Sequence, residues 1–190
     1  MRESAHHTGF RRSAAWVAAA AGVVAMVTGC SGGSDTAGTP APASSAQKSN
    51  TAWNPCSIPA ADLVAAGLNP SKQVGDTSRY GTKFPGWDIC GWLSDSWYGL
   101  NVYSTSEHTF AEVAGNTKLF RDPQPTTVDG RRAVLLPAAS APYLCNLAVD
   151  TATAGPVQFE VDAKASAATP GDSCAEVTRL AGALAKDLPR

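Results

Sequence analysis

An α+β fold, with a single antiparallel sheet of about five or six strands and helices packed on it, is predicted by three features of the 190-residue chain. Residues 157–163 alternate: Val157, Phe159 and Val161 fall on one face and Gln158, Glu160 and Asp162 on the other, the pattern of a strand buried on one side and wet on the other. Asp129-Gly130 follows Thr126-Thr127-Val128 and precedes Arg131 to Leu136, a strong two-residue hairpin signal. Near the C-terminus, Cys174, Val177, Ala181, Leu184 and Leu188 recur along one helical stripe, and Ser173 with Glu176 fits a capping box. That helix is expected to pack on the sheet.

Residues 53–190 are the size of one ordinary domain with a single core. Asn54-Pro55-Cys56-Ser57-Ile58-Pro59 opens a short helix, since proline is tolerated in a first turn. Leu63 and Val64 are expected to face inward, and Gly67 suits a left-handed stop. A loop is expected from 69 to 85. Trp87 to Leu93 and Tyr98 to Thr105, both rich in aromatic and branched residues, read as a hairpin around Ser94-Asp95-Ser96. Ser106 is the expected cap of a short helix from Glu107 to Ala114, closed by Gly115-Asn116. Tyr143 to Val149 and Val157 to Ala163 form the last strand pair, joined around Thr153-Ala154-Gly155-Pro156.

The N-terminus carries an address. Arg2, Arg11 and Arg12 precede an apolar run from Ala14 to Val27, interrupted at Gly22, which is the pattern of a secretory signal peptide over residues 1–29. The run is about 14 residues, short of the roughly 18 to 20 needed to span a bilayer. Arg11-Arg12 hints at twin-arginine export, but the residues after it fit that motif poorly. Val27-Thr28-Gly29-Cys30 resembles the lipobox of bacterial lipoproteins, which implies diacylglyceryl modification of Cys30 and cleavage before it. Two or three acyl chains, at about 0.8 kcal/mol per buried methylene, would hold the chain on the outer face of the cytoplasmic membrane. Residues 30–52, rich in Ser, Gly, Thr, Ala and Pro, bury too little to order themselves and read as a tether with a reach of roughly 25 Å. Its Ser and Thr are candidate sugar acceptors.

Removal of residues 1–29 takes three basic residues and one acidic residue, leaving a net charge near −3. Arg131-Arg132 is then the one adjacent basic pair, so no nucleic-acid partner is expected. With Cys30 assigned to lipid, Cys56, Cys90, Cys145 and Cys174 remain, an even number in an oxidising compartment. Three connectivities are open. Sequential pairing, Cys56 with Cys90 and Cys145 with Cys174, is favoured because it ties each helix start to a nearby strand; each loop of about 30 to 35 residues is worth roughly 3 to 4 kcal/mol. No close cysteine pair and, after the expected cleavage, a single histidine, His108, argue against a metal centre, and no cofactor is expected.

Catalytic motifs are absent from the sequence. His108 has no Gly-x-Ser-x-Gly partner, no phosphate-binding loop or EF-hand loop occurs, and the carboxylates are scattered singly. A non-enzymatic binding or accessory module is therefore expected, with a membrane partner through Cys30 and an envelope glycan or protein as its other partner. The alternatives are an enzyme acting on envelope polymer, which needs an open cleft with convergent carboxylates or His108, and a carrier of apolar ligand, which needs a dry pocket. Aromatic residues concentrate at Tyr80, Phe84, Trp87, Trp92, Trp97, Tyr98 and Tyr103. Trp87 and Trp92 are assigned to the core. Trp97 and Tyr98, at the predicted turn, form the candidate binding surface.

Several short motifs occur in a fixed order: the Cys30 lipobox, the Ser/Thr/Pro tether, Asn54-Pro55-Cys56-Ser57, Ala66-Gly67-Leu68, Cys90-Gly91-Trp92, Val128-Asp129-Gly130-Arg131-Arg132-Ala133, Cys145, Cys174-Ala175-Glu176 and Leu188-Pro189. In this order the chain resembles the actinobacterial cell-envelope lipoproteins catalogued as domain of unknown function 3558. Pro59 departs from the polar cap expected there. The resemblance implies an envelope location and no particular activity. More loosely, the order of helices and strands is similar to extracytoplasmic sensor domains and PsbP/Mog1-like sandwiches, a likeness of fold without functional weight.

Overall fold

Among the described residues the polypeptide runs through seven strands, β1 (Leu68–Val74), β2 (Asp88–Ser94), β3 (Tyr98–Ser104), β4 (Gln124–Val128), β5 (Arg131–Pro137), β6 (Leu144–Val149) and β7 (Val157–Ala163), with the clearest alternation in β7. Three α-helices accompany them, α1 (Ala60–Ala65), α2 (Phe110–Ala114) and α3 (Ser173–Leu184). The computed structural model describes residues 52–74 and 84–190. The expected signal segment, Cys30, all but the last residue of the expected tether, and Tyr80 lie outside the described residues. No helix among the described residues is long and apolar enough to cross a membrane.

Every strand pairs antiparallel with its neighbours, in the order β1-β2-β3-β7-β6-β5-β4. The β4–β5 turn places Asp129 and Gly130 at φ 50° and 73°, as the Asp-Gly signal requires. From β3 the chain must reach the far edge at β4, and α2 and the segment after it make that crossing. The sheet has seven strands rather than five or six because β1 forms where a loop was expected. Its sequence lacks clear alternation and contains Pro70; it is an edge strand, paired with β2 alone through a shifted register, a place where proline costs little.

One sheet face carries the main core. Val177, Leu180, Ala181 and Leu184 of α3 are fully buried in one cluster with Cys145, Leu147, Val149, Val157, Phe159 and Val161. Leu63 of α1 joins them, whereas Val64, expected to face inward, is 61% exposed. A six-residue helix turns one narrow face to the core, and the next residue, about 100° on, points to water.

Two helix starts differ from expectation. Thr109, not Ser106, caps α2, and its capping box with Glu112 is complete, so the helix begins at Phe110. Asp172 caps α3, accepting from the Cys174 and Ala175 amides at 2.8 and 3.1 Å. Ser173 instead donates to the Tyr143 carbonyl, and Glu176 pairs with Arg179 at 2.6 Å. Disulfides join Cys56, in a 3-10 turn at Pro55–Ser57, to Cys90 of β2, and Cys145 of β6 to Cys174 in the first turn of α3. This is the sequential pairing.

Candidate functional site

The second sheet face is divided. Its β5–β6 end is apolar, with Val134, Leu136 and Ala148 covered by Val113 of α2 and by Phe120. Towards the middle the same face turns polar. The register aligns Asn146 with Glu160 and Glu160 with Asn101, and beside that row Ala148 with Gln158 and Gln158 with Tyr103. Where the helical cover stops, Tyr103, Asn146, Gln158 and Glu160 of these rows floor a cleft of about 480 Å³. That volume lies within the usual range for small-molecule sites.

The floor is prearranged. Asn101 Nδ2 and the Tyr103 hydroxyl both donate to Glu160 Oε1 at 2.9 Å, and Gln158 Nε2 donates to Asn146 Oδ1 at 2.8 Å. Gly91 makes room for this network, since a Cβ there would meet Asn101 Oδ1 at 2.4 Å. One wall is aromatic. The Trp87 and His108 rings stack with centroids 5.4 Å apart, Tyr103 meets Trp87 edge-on at 6.1 Å, and Phe84 meets Tyr103 edge-on at 6.3 Å. Val113, Leu119 and Phe120 also line the cleft, the β5–β6 connection adds Ala138, Ser140 and Ala141, and the start of β6 adds Leu144.

His108 lies before α2 and not within it. Buried Thr105 fixes the turn by accepting from the Glu107 and His108 amides, and the Trp87 stack then sets the imidazole. Glu112, at the rim, is held below the usual carboxylate range by the Thr109 amide and hydroxyl. It is thereby committed to the cap. His108, Ser140, Glu112 and Glu160 all line the cleft. No group of three His, Cys, Asp or Glu side chains gathers to hold a metal among the described residues.

The aromatic surface expected at the β2–β3 turn is arranged differently. Tyr98 is 4% exposed, because its place in β3 puts it on the α3 face with Leu100 and Val102. Arg179 Nη2 donates to its hydroxyl at 3.2 Å and to the Ala66 carbonyl at 2.9 Å, and burial pushes the phenol up to about 12. Trp97 is half-buried, edge-on to Tyr98 at 5.2 Å, and lies so close to Gly171 that a Cβ there would come within 2.7 Å of the indole. Trp92 is core, as expected, at 1% exposure; Trp87 packs on the second face, against the cleft. The cleft's own residues were partly visible in the sequence. Gln158 and Glu160 are the wet positions of the β7 alternation, and Phe84, Trp87 and Tyr103 belong to the aromatic concentration. Leu119 and Phe120 carried no signal, because only the β3-to-β4 crossing brings their segment to the sheet.

The family described as "Protein of unknown function (DUF3558)" matches residues 25–187, and the chain belongs to it. No curated protein and no solved structure matches.

Proposed function

We propose that this member of the DUF3558 family is an extracytoplasmic binding or accessory module without catalytic chemistry, anchored by lipid on Cys30 to the outer face of the cytoplasmic membrane. The N-terminal stretch ending Val27-Thr28-Gly29-Cys30 supports the anchor. The ligand site in this reading is the cleft on the second face of the sheet, and the observation that carries it is the contrast within that cleft. Aromatic and aliphatic walls stand over a floor of hydrogen-bonded amides and a carboxylate, an arrangement that orients a small molecule while burying most of its surface.

Native mass spectrometry of the full chain isolated from its envelope tests both parts. A species beginning at acylated Cys30 and carrying a non-covalent small molecule is expected, with that molecule lost in a Leu119→Arg variant at the rim. An unmodified Cys30 would remove the anchor, and no bound mass in any preparation would remove the cleft reading. A second reading, an enzyme acting on envelope polymer, draws on His108 and Glu160 sharing the cleft. Envelope polymer turned over by the wild-type chain and not by His108→Ala would favour it.

A further inference from the structure

We propose that the cleft takes the acyl chain of a membrane lipid and leaves the head group outside, so that the chain and not the head is recognised. This deepens the binding reading above and rests on it, the Cys30 anchor included. Phe84, Trp87, Val113, Leu119, Phe120 and Leu144 give the cleft a mainly hydrocarbon lining. His108 stacks on the Trp87 indole and Tyr103 meets it edge-on, which fixes that wall. Phe84 and Leu119 carry the lining out to the surface, where they remain 48% and 59% exposed. Large apolar side chains at the mouth of a cleft leave surface that an occupant can cover.

The polar floor asks little of a ligand. Gln158 donates to Asn146, itself 1% exposed, and Glu160 accepts from Asn101 and Tyr103. Among the described residues, the buried side-chain N and O atoms without a hydrogen-bond partner are Trp92 Nε1 and Asp187 Oδ2, and neither residue lines the cleft. Among those residues the cleft therefore holds no orphaned buried donor or acceptor for a head group to satisfy, and an occupant gains mainly by burying hydrocarbon. That gain grows with the length of the chain. The anchor supplies the source of such chains. A tether from Cys30 reaches roughly 25 Å, and the polypeptide enters the fold at Trp53, whose carbonyl accepts from the hydroxyl of Ser104, the neighbour in β3 of Tyr103 in the cleft. An anchored domain is thereby kept beside a bilayer made of long hydrocarbon chains.

The test is photoaffinity labelling of the full chain in lipid nanodiscs, mapped by peptide and normalised to labelling of the nanodisc scaffold. Hexadecyl diazirine probes with glycerol, carboxylate or phosphocholine heads are compared with an octyl probe carrying glycerol. The long probes are expected to label peptides containing 113–120 and 138–144 to within about threefold of one another, and the octyl probe at least about tenfold less. Leu119→Arg, a change at an exposed position checked for native melting, is expected to remove the long-chain labelling of those peptides. Cleft labelling that is equal for octyl and hexadecyl probes, or that is confined to one head group, would overturn the proposal while leaving the binding reading intact. So would a bound mass in the native spectrum that belongs to a molecule without a long alkyl chain. Labelling confined to other surfaces would also overturn the proposal, and with no co-purifying molecule in the native mass spectrum it would overturn the binding reading too.

Discussion

Tyr98 shows how a single side chain can be redirected by what lies across the sheet. A phenol beside a turn would ordinarily meet water, but here α3 covers it and Arg179 ties its hydroxyl to the end of α1. Replacing it with phenylalanine keeps the ring and removes that link, so Tyr98→Phe is expected to lower stability by about 0.5–1.5 kcal/mol, read from the urea midpoint at unchanged slope. Two carboxyls give opposite pH signatures. Burial pushes Glu176 up, but hydrogen bonds from Arg179 and Tyr98 outweigh it and hold the group below its ordinary value of 4.5. Its contribution is therefore present above that value and lost as pH falls through the lowered one. Asp187 is raised above 3.8, first by burial and then by the neighbouring Asp62 carboxylate, so its folded state holds the proton more tightly than the unfolded chain does. That contribution is greatest below 3.8 and disappears as pH rises through the raised value. Asp187→Asn is thus expected to melt above wild type at pH 7, with the gap closing near pH 3.

At the scale of elements, α2 is the vulnerable piece. Five residues cannot hold a helix by themselves, and the cap supplied by Thr109 and Glu112 is complete at both ends of its box. Thr109→Ala is expected to cost about 1 kcal/mol. Because Val113 of this helix forms part of the cleft wall, the same change is expected to raise amide exchange at 113–115 selectively over the β6 amides. Legibility in the sequence followed the same division. Strands with alternation or a strong turn, β2 to β7, were evident from their own residues. Strand β1 was not, because its pairing with β2 comes from the sheet edge rather than from any pattern in Leu68–Val74. Helix starts were misplaced where two capping residues stood close together: at α2 the complete box of Thr109 with Glu112 sets the start rather than Ser106, and at α3 Ser173 is drawn to the Tyr143 carbonyl, leaving Asp172 to cap.

For the whole molecule, both disulfides lie in the same core as α1 and α3, one tying the N-terminal turn to β2 and the other tying α3 to β6. With sequence separations of 34 and 29 residues, each is worth roughly 3 to 4 kcal/mol in the chain-entropy model. Reduction under native conditions is expected to lower the melting midpoint by many degrees, and Cys145→Ala with Cys174→Ala to reproduce about half of that loss. Unchanged melting in reductant would show that packing alone carries the fold.

The amino-acid sequence by itself determined the class of fold, the antiparallel strands, the terminal helix and the four cysteines, Cys56, Cys90, Cys145 and Cys174, whose sequential pairing the structure contains. These are local properties: periodicity, turn chemistry and residue count act over a few neighbours, or follow from composition. Tertiary structure alone decided that Tyr98 is core, that Leu68–Val74 is a strand and that the second face of the sheet holds a cleft. Each of these depends on segments far apart in the chain, and the cleft most of all. Its floor comes from β3, β6 and β7, while its walls come from the crossing between β3 and β4, the β5–β6 connection and the approach to β2. No short window of sequence contains them together.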